Sequence, residues 1–164
     1  MLLNNLKLTN GGILAALALI SLMLASFLQN MTLAFLFISS VIMYLLLIRC
    51  GKKTFFLSYL AVALLGIIMV GDKKVIIYYI LGFGYYPYLH EVFSKKNNIL
   101  SYGIRGIYFA VMLVILYFVL KAFIPAALDT KLPLGAMGVA GIVVLYLYDY
   151  FLSYAKPHLM RFKM

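Results

Sequence analysis

One carboxylate stands inside a long apolar stretch, where a charge needs a partner. Asp149 interrupts the segment LYLYDYFLSY and precedes Lys156 by seven residues, so a helix would separate the two by about 10 Å along its axis. A carboxylate at that depth is costly unless it is paired. We expect an ion pair with Arg105, or with Arg49 as the second choice. The pair is either a structural link between helix ends or a group that couples proton movement or gating.

The residue types that catalyse reactions or bind metals are few and separated. His90 and His158 lie far apart, neither belongs to an HExxH-type motif, and Cys50 is the only cysteine. Glu91 adjoins His90, but neighbouring residues on a helix point about 100° apart and do not form a ready catalytic pair. We therefore predict that the chain is not an enzyme and binds neither a metal nor a cofactor.

A few polar and aromatic residues fall near the predicted outer ends of apolar helices. Tyrosine rings can stack on a flat ligand and a lysine can meet an anionic group, so these residues could line a pocket open to the outside. The same positions also suit an interfacial belt of aromatic residues, and both interpretations stay open. The residues are Asn30, Tyr78, Tyr79, Tyr117 and Lys121.

Composition indicates the class of protein. The chain has 164 residues, of which 66% are hydrophobic and only four are acidic, and its mean hydropathy is +1.09. A soluble domain of this size could not bury so much apolar surface. The formal net charge of +10 would suggest nucleic acid as the partner of a soluble protein. Here the basic residues fall between apolar runs, where they orient helices and contact anionic lipid head groups. We predict an all-α, polytopic membrane protein that contacts lipids and no nucleic acid.

The apolar segments set the number of predicted helices. A helix needs about 20 mostly apolar residues to cross a bilayer. Polar residues divide the chain into six such segments, joined by loops too short to hold a soluble domain. We predict one domain over residues 1–164, built as a bundle of six transmembrane helices. These helices cover about 11–29, 31–49, 54–71, 73–90, 103–124 and 134–155.

The distribution of basic residues predicts the orientation. If the amino terminus is cytoplasmic, ten of the fourteen Lys and Arg residues lie inside and four lie outside, which is the positive-inside bias. Both termini are then cytoplasmic, and the chain is a multi-pass protein of the cell membrane. The four outer residues are Lys73, Lys74, Lys121 and Lys131.

The fourth predicted helix contains its own interruption, in the stretch GFGYYPYLHEVFSKK of residues 82–96. Pro87 lacks the N–H that would bond the Phe83 carbonyl, and Gly82 and Gly84 loosen the same turn. We expect a kink there. A neighbouring helix or interfacial water should bond the freed carbonyl.

Beyond the kink, the spacing of apolar residues predicts an amphipathic helix. Tyr86, Leu89 and Phe93 fall close to one face, whereas His90 falls on the other. We expect about two helical turns along the inner membrane surface. A partner protein could press on this element at Pro87, Leu89 and Phe93, or its tyrosines could simply hold the helix at head-group depth.

The first predicted helix is rich in small residues, in the stretch GGILAALALISLMLAS. Gly12 with Ala16, and Ser21 with Ala25, are each four residues apart. Each pair leaves room for another helix to approach closely. The pairs either pack within the bundle or contact a separate membrane subunit.

Taken together, these features resemble the substrate-binding S components of energy-coupling-factor (ECF) vitamin transporters. That family consists of small six-helix membrane proteins that often begin with a Lys-x-Thr-like stretch and an Ala-rich first helix. The corresponding text here is KLTNGGILAALALI, residues 7–20. The resemblance implies a bacterial plasma-membrane subunit that binds a small water-soluble molecule such as a vitamin. It also implies that Gly12 and Ala16 contact a membrane coupling subunit. No Walker motif occurs in the sequence, so the ATPases would be separate proteins.

A second hypothesis needs no ligand pocket. The same small-residue faces, kink and basic inner surface would suit a non-transporting scaffold or accessory subunit of a bacterial membrane complex. Small rod-shape-determining membrane proteins are similar in plan. The two hypotheses differ in ligand dependence, because a binding subunit gains thermal stability from its ligand and a scaffold does not.

Overall fold

The computed structural model describes residues 2–93, 98–123 and 134–161. Within these residues the chain is all-helical, with 94% helix and no strand, as its composition predicts. Four of the described helices contain a segment long and apolar enough to cross a membrane, which is compatible with a multi-pass membrane protein. The four segments are Leu8–Phe27, Gln29–Cys50, Lys52–Met69 and Gly103–Phe123.

The described residues form seven α-helices, with a 3-10 turn after the first and a π-helical turn after the fourth. The α-helices are α1 (Leu2–Phe27), α2 (Thr32–Cys50), α3 (Lys52–Met69), α4 (Lys73–Tyr78), α5 (Tyr86–Phe93), α6 (Asn98–Phe123) and α7 (Leu134–Arg161). The 3-10 turn covers Gln29–Met31 and the π-helical turn covers Tyr79–Phe83.

Some helix bounds differ from the predicted ones. α1 begins at Leu2 rather than near residue 11, because polar residues in its first turns limit the apolar segment to Leu8–Phe27 but do not end the helix. The predicted helix at 73–90 is divided into α4, the π-helical turn and α5. The predicted helix at 134–155 lies within α7, which continues to Arg161. The count of six spans and the cytoplasmic termini stay predictions.

Short turns make α1, α2 and α3 antiparallel neighbours. Thr32 closes the first turn, where its hydroxyl lies 2.9 Å from the Gln29 carbonyl and 3.1 Å from the Ala25 carbonyl. Gly51 forms the second turn with φ of +86°, a conformation that favours glycine. Its N–H donates to the Leu47 carbonyl at 3.1 Å and so ends α2.

The connection from α3 to α4 is tied to the end of α1. Asp72 caps α4 by accepting a hydrogen bond from the Lys74 N–H at 2.9 Å. The Asp72 N–H donates to Ser26 Oγ at 2.8 Å. The Lys73 ammonium donates to the Ile67 carbonyl at 2.7 Å and so satisfies the end of α3. The Asp72–Ser26 bond places the α1–α2 turn and the α3–α4 connection at the same end of the bundle.

The six largest fully buried side chains of the bundle are aromatic, whereas aliphatic and further aromatic residues cover much of its outside. Ile68 is 79% exposed and lies near the end of a helix that is apolar along its length. Exposing an apolar surface of this extent to water would be unfavourable, so the surface is suited to contact with lipid. The largest buried aromatic residues are Tyr44, Phe55, Tyr79, Tyr86, Phe109 and Tyr148.

Candidate functional site: a charge cluster beside a broken helix

The α4–α5 region is a helix that is broken by a π-helical turn. The Gly84 N–H donates to the Tyr79 carbonyl at 2.8 Å, which is the i to i+5 bond of a π-helix. A Cβ on Gly84 would lie 2.9 Å from both the Tyr79 carbonyl oxygen and Tyr79 Cζ. A side chain at position 84 would therefore collide with the backbone of the turn.

Neighbouring helices bond the carbonyls that the break leaves free. Ser40 of α2 donates to the Phe83 carbonyl at 2.7 Å, and this is the carbonyl that Pro87 cannot bond. Tyr59 of α3 donates to the Ile80 carbonyl at 2.9 Å. The helix is therefore interrupted beside the residues at which the sequence predicts a kink, and the carbonyl that Pro87 frees is satisfied from a neighbouring helix.

A hydroxyl relay connects the break to α7. The Tyr148 hydroxyl is in hydrogen-bond contact with Ser40 Oγ, and both residues are buried. Because the one hydroxyl hydrogen of Ser40 is used on Phe83, Tyr148 must be the donor in this contact. The relay runs from Tyr148 through Ser40 to Phe83.

Asp149 lies beside this relay, and three side chains in the interior donate to its carboxylate. Tyr86 donates its hydroxyl to Asp149 Oδ1 at 2.5 Å, and His90 Nδ1 lies 2.8 Å from the same oxygen. Arg105 Nη1 forms an ion pair with Oδ2. Asp149 is only 3% exposed, and a carboxylate in such surroundings is stable only when it is paired in this way. The ion pair expected between Asp149 and Arg105 is present in the structure, whereas Arg49 is exposed.

His90 lies on the opposite side of α5 from the predicted one. The amphipathic pattern placed it on the outward polar face, but it is 1% exposed and packs edge-on against Tyr44. The reason is that His90 follows Tyr86 by four residues, so both side chains project from the same face. That spacing was a signal in the sequence that could have joined His90 to the buried cluster.

A second ion pair lies closer to the surface. Glu91 Oε2 is 2.9 Å from the Lys156 ammonium and accepts a hydrogen bond from the Tyr44 hydroxyl at 3.3 Å. Both charged side chains are partly exposed. Because Tyr44 also contacts the His90 ring, the cluster continues from the interior towards the end of the bundle.

The five residues predicted to line an outer pocket are spread over the fold. Tyr79 is buried in the π-helical turn against Tyr59, whereas Tyr117 packs against Phe118. Asn30 and Lys121 are exposed, and Tyr78 is half-buried. In the described part of the chain, no hydrogen bond, ion pair or ring contact joins any two of the five. A small groove of about 70 Å³ lies elsewhere, lined by Leu81, Tyr85, Tyr108, Val111, Met112 and Ile115.

The small-residue pairs of α1 have different surroundings. Ser21 and Ala25 are buried and so pack within the bundle. Gly12 and Ala16 are exposed, and a Cβ on Gly12 would meet no atom within 4 Å. The neighbouring Gly11 makes the close approach to α3 instead, since its Cβ would lie 2.6 Å from Thr54 Cγ2.

The other residues predicted to contact a partner are less accessible. Pro87 is buried, and Leu89 and Phe93 are half-buried. Phe93 contacts the Tyr108 ring of α6. In this conformation the α5 element packs into the bundle, so its accessible surface is smaller than the amphipathic pattern suggested.

No protein-family model, curated protein or solved structure matches this chain.

Proposed function

We propose that this chain is a membrane-embedded, non-catalytic subunit of an ECF-type importer, which binds a small water-soluble molecule and depends on a coupling subunit and separate ATPases. The observation that supports the proposal is the outward face of α1 at Gly12 and Ala16. Both residues are exposed, although small residues one to three turns further along α1 are buried. A small-xxx-small pair facing outwards allows a helix of another subunit to approach the backbone.

The broken helix is a second reason to favour transport over a static role. Many transporters build their sites where a membrane helix is interrupted near the middle of the bilayer. Buried ionisable residues in membrane helices also cluster on such pathways. Here the π-helical turn Tyr79–Phe83 adjoins a relay that ends beside Asp149, so movement of α5 would have to break the Asp149 contacts.

The test is co-purification in mild detergent from the native host, followed by mass spectrometry of the bound proteins. The wild-type chain should retain a membrane coupling subunit and two ATPases. Gly12→Leu combined with Ala16→Leu should remove them, because leucine side chains hold the partner helix away. Gly103→Leu with Ala110→Leu is the matched control, since both residues are exposed small residues of α6.

The folded state of each variant is checked by its elution volume and thermal unfolding. Retention of the same partners by Gly12→Leu/Ala16→Leu, with the monomer folded, would refute the role of this face. Equal loss of partners in the α6 control would also refute it, because the effect would not be specific to α1.

A scaffold or accessory subunit is the second candidate function. The observation that favours it is the scatter of the five outer residues, which the described structure does not join into a binding site. Thermal unfolding with added vitamins separates the two roles: a binding subunit is stabilised by RT ln(1 + [L]/Kd), and a scaffold is not. Recovery of cell-envelope proteins without an ATPase would favour the scaffold.

A further inference from the structure

The turn between α2 and α3 carries a concentration of positive charge at one end of the bundle. Arg49, Lys52 and Lys53 surround Gly51 and are exposed. We call these three basic residues the basic turn. It connects two of the helices that are long and apolar enough to cross a membrane, so it lies where a spanning helix pair meets the head groups.

The basic turn has no acidic counterpart among the described residues. Of the three described acidic residues, Asp149 is engaged by Arg105 and His90, and Glu91 is engaged by Lys156. Asp72 caps α4. In the described chain none of the three basic side chains forms an ion pair. Lys52 instead lies over the Tyr88 ring, 5.5 Å from its centroid, which holds the ammonium against α5.

An exposed apolar ribbon begins directly beside the basic turn. Phe56, Leu60 and Leu64 follow Lys52 at steps of four along α3 and are 46%, 55% and 56% exposed. Twelve residues of helix rise about 18 Å, which is close to the ~15 Å hydrocarbon depth of one leaflet. The surface therefore has a cationic end and an apolar length that matches one lipid chain.

We propose that the basic turn binds the head group of an anionic phospholipid whose acyl chain lies along the Phe56–Leu64 ribbon. Charge complementarity selects an anionic over a zwitterionic head group. The ribbon selects a whole lipid over a soluble phosphate, because only a lipid covers both parts of the surface. This inference does not depend on the importer role proposed above.

The test measures lipid binding to the purified full chain in neutral detergent, by native mass spectrometry and by thermal unfolding. The probes are phosphatidylglycerol, phosphatidylcholine and glycerol 3-phosphate. Phosphatidylglycerol should bind and raise the unfolding temperature, whereas phosphatidylcholine and glycerol 3-phosphate should do so far less. Raising the salt concentration should weaken the phosphatidylglycerol effect.

Two matched variants locate the site. Lys52→Gln with Lys53→Gln should weaken phosphatidylglycerol binding about 25-fold, at roughly fivefold for each basic residue removed. Lys74→Gln with Lys121→Gln removes the same charge from elsewhere and should leave the affinity within about twofold. Phe56→Ala keeps the charge of the basic turn. It should weaken the binding of phosphatidylglycerol but leave that of glycerol 3-phosphate unchanged.

Three results would overturn the proposal. They are equal binding of phosphatidylcholine and phosphatidylglycerol, equal loss in both double variants, and glycerol 3-phosphate acting as strongly as the lipid. If Lys52→Gln/Lys53→Gln fails to fold, the salt titration and the Phe56→Ala variant still decide the matter, since both use a chain with the basic turn intact.

Discussion

At the scale of single residues, Asp149 is the side chain whose partners matter most for stability. It is almost fully buried and joins three elements, because its donors come from α5 and α6 while it belongs to α7. A pair of this kind gives little net stability over an apolar substitute, but removal of one partner leaves an uncompensated charge. The contacts therefore act as a structural link, and they also make the position sensitive to movement of α5.

We predict that Asp149→Asn lowers the free energy of unfolding by about 3–5 kcal/mol, because Arg105 and His90 lose their carboxylate in the interior. Glu91→Gln breaks the partly exposed pair with Lys156 and should cost less than about 1 kcal/mol. Reversible unfolding in mixed detergent measures both. Adding Arg105→Met to Asp149→Asn should restore part of the loss, and equal costs for Asp149→Asn and Glu91→Gln would contradict the assignment.

The adjacent serines of α2 allow a second test at this scale. Ser40→Ala leaves the Phe83 carbonyl and the Tyr148 hydroxyl buried without their partner, so we expect a loss of about 1–3 kcal/mol. Ser39→Ala is the control, because Ser39 is equally buried but donates to the Ala18 carbonyl within the regular helix α1. Its loss should be clearly smaller. The same unfolding measurement compares the two, and a larger cost at Ser39 would refute the relay.

At the scale of helices, the break between α4 and α5 depends on close packing across glycine. The π-helical turn leaves carbonyls that α2 and α3 must satisfy, so the break is held by tertiary contacts as well as by Pro87. A break that is stabilised in this way can close or move only if several hydrogen bonds are exchanged together. This broken helix is the second feature that supports the importer proposal.

We predict that Gly84→Ala destabilises the protein by about 1–3 kcal/mol, because its Cβ would collide with the Tyr79 carbonyl and the Tyr59 ring. Gly103→Ala is the control, since a Cβ there meets nothing within 4 Å and alanine favours the helix by up to about 1 kcal/mol. Thermal unfolding should therefore shift in opposite directions for the two variants. A neutral or stabilising Gly84→Ala would show that the π-helical turn is not required.

At the scale of the whole molecule, the described helices form a bundle whose six largest fully buried side chains are aromatic and whose outside carries many exposed apolar residues. The Asp72–Ser26 bond and the Gly11–Thr54 approach show that α1, α2 and α3 run alternately from one end to the other. If the positive-inside bias holds, the basic turn faces the cytoplasm and the first turn faces outwards.

Cysteine labelling in intact cells tests that orientation. In a Cys50→Ala background, Asn30→Cys should react with a membrane-impermeant maleimide in whole cells. Lys53→Cys should react only after the cells are permeabilised. Both positions are exposed in the structure, so burial does not account for a difference. Labelling of Lys53→Cys in whole cells would reverse the predicted orientation.

The sequence alone determined the features that depend on neighbouring residues. Apolar windows of about 20 residues indicate membrane helices, because in lipid every backbone N–H and C=O group must be hydrogen-bonded within the segment, as it is in a helix. Pro87 indicates the break because it lacks an N–H, and the depth of Asp149 demands a partner because buried charge is costly. Those three inferences predicted the helical class, the break in the helix and one ion pair.

Only the tertiary structure decided which distant side chains meet. Ser40 and Phe83 are 43 residues apart, and His90 and Asp149 are 59 apart, so helix packing alone brings them together. The same packing buries Tyr79 against Tyr59 and also buries Pro87. It also turns Gly11 inwards and Gly12 outwards, because adjacent residues on a helix face different neighbours. Sequence spacing fixes which residues share a face of one helix, whereas the arrangement of helices fixes what that face contacts.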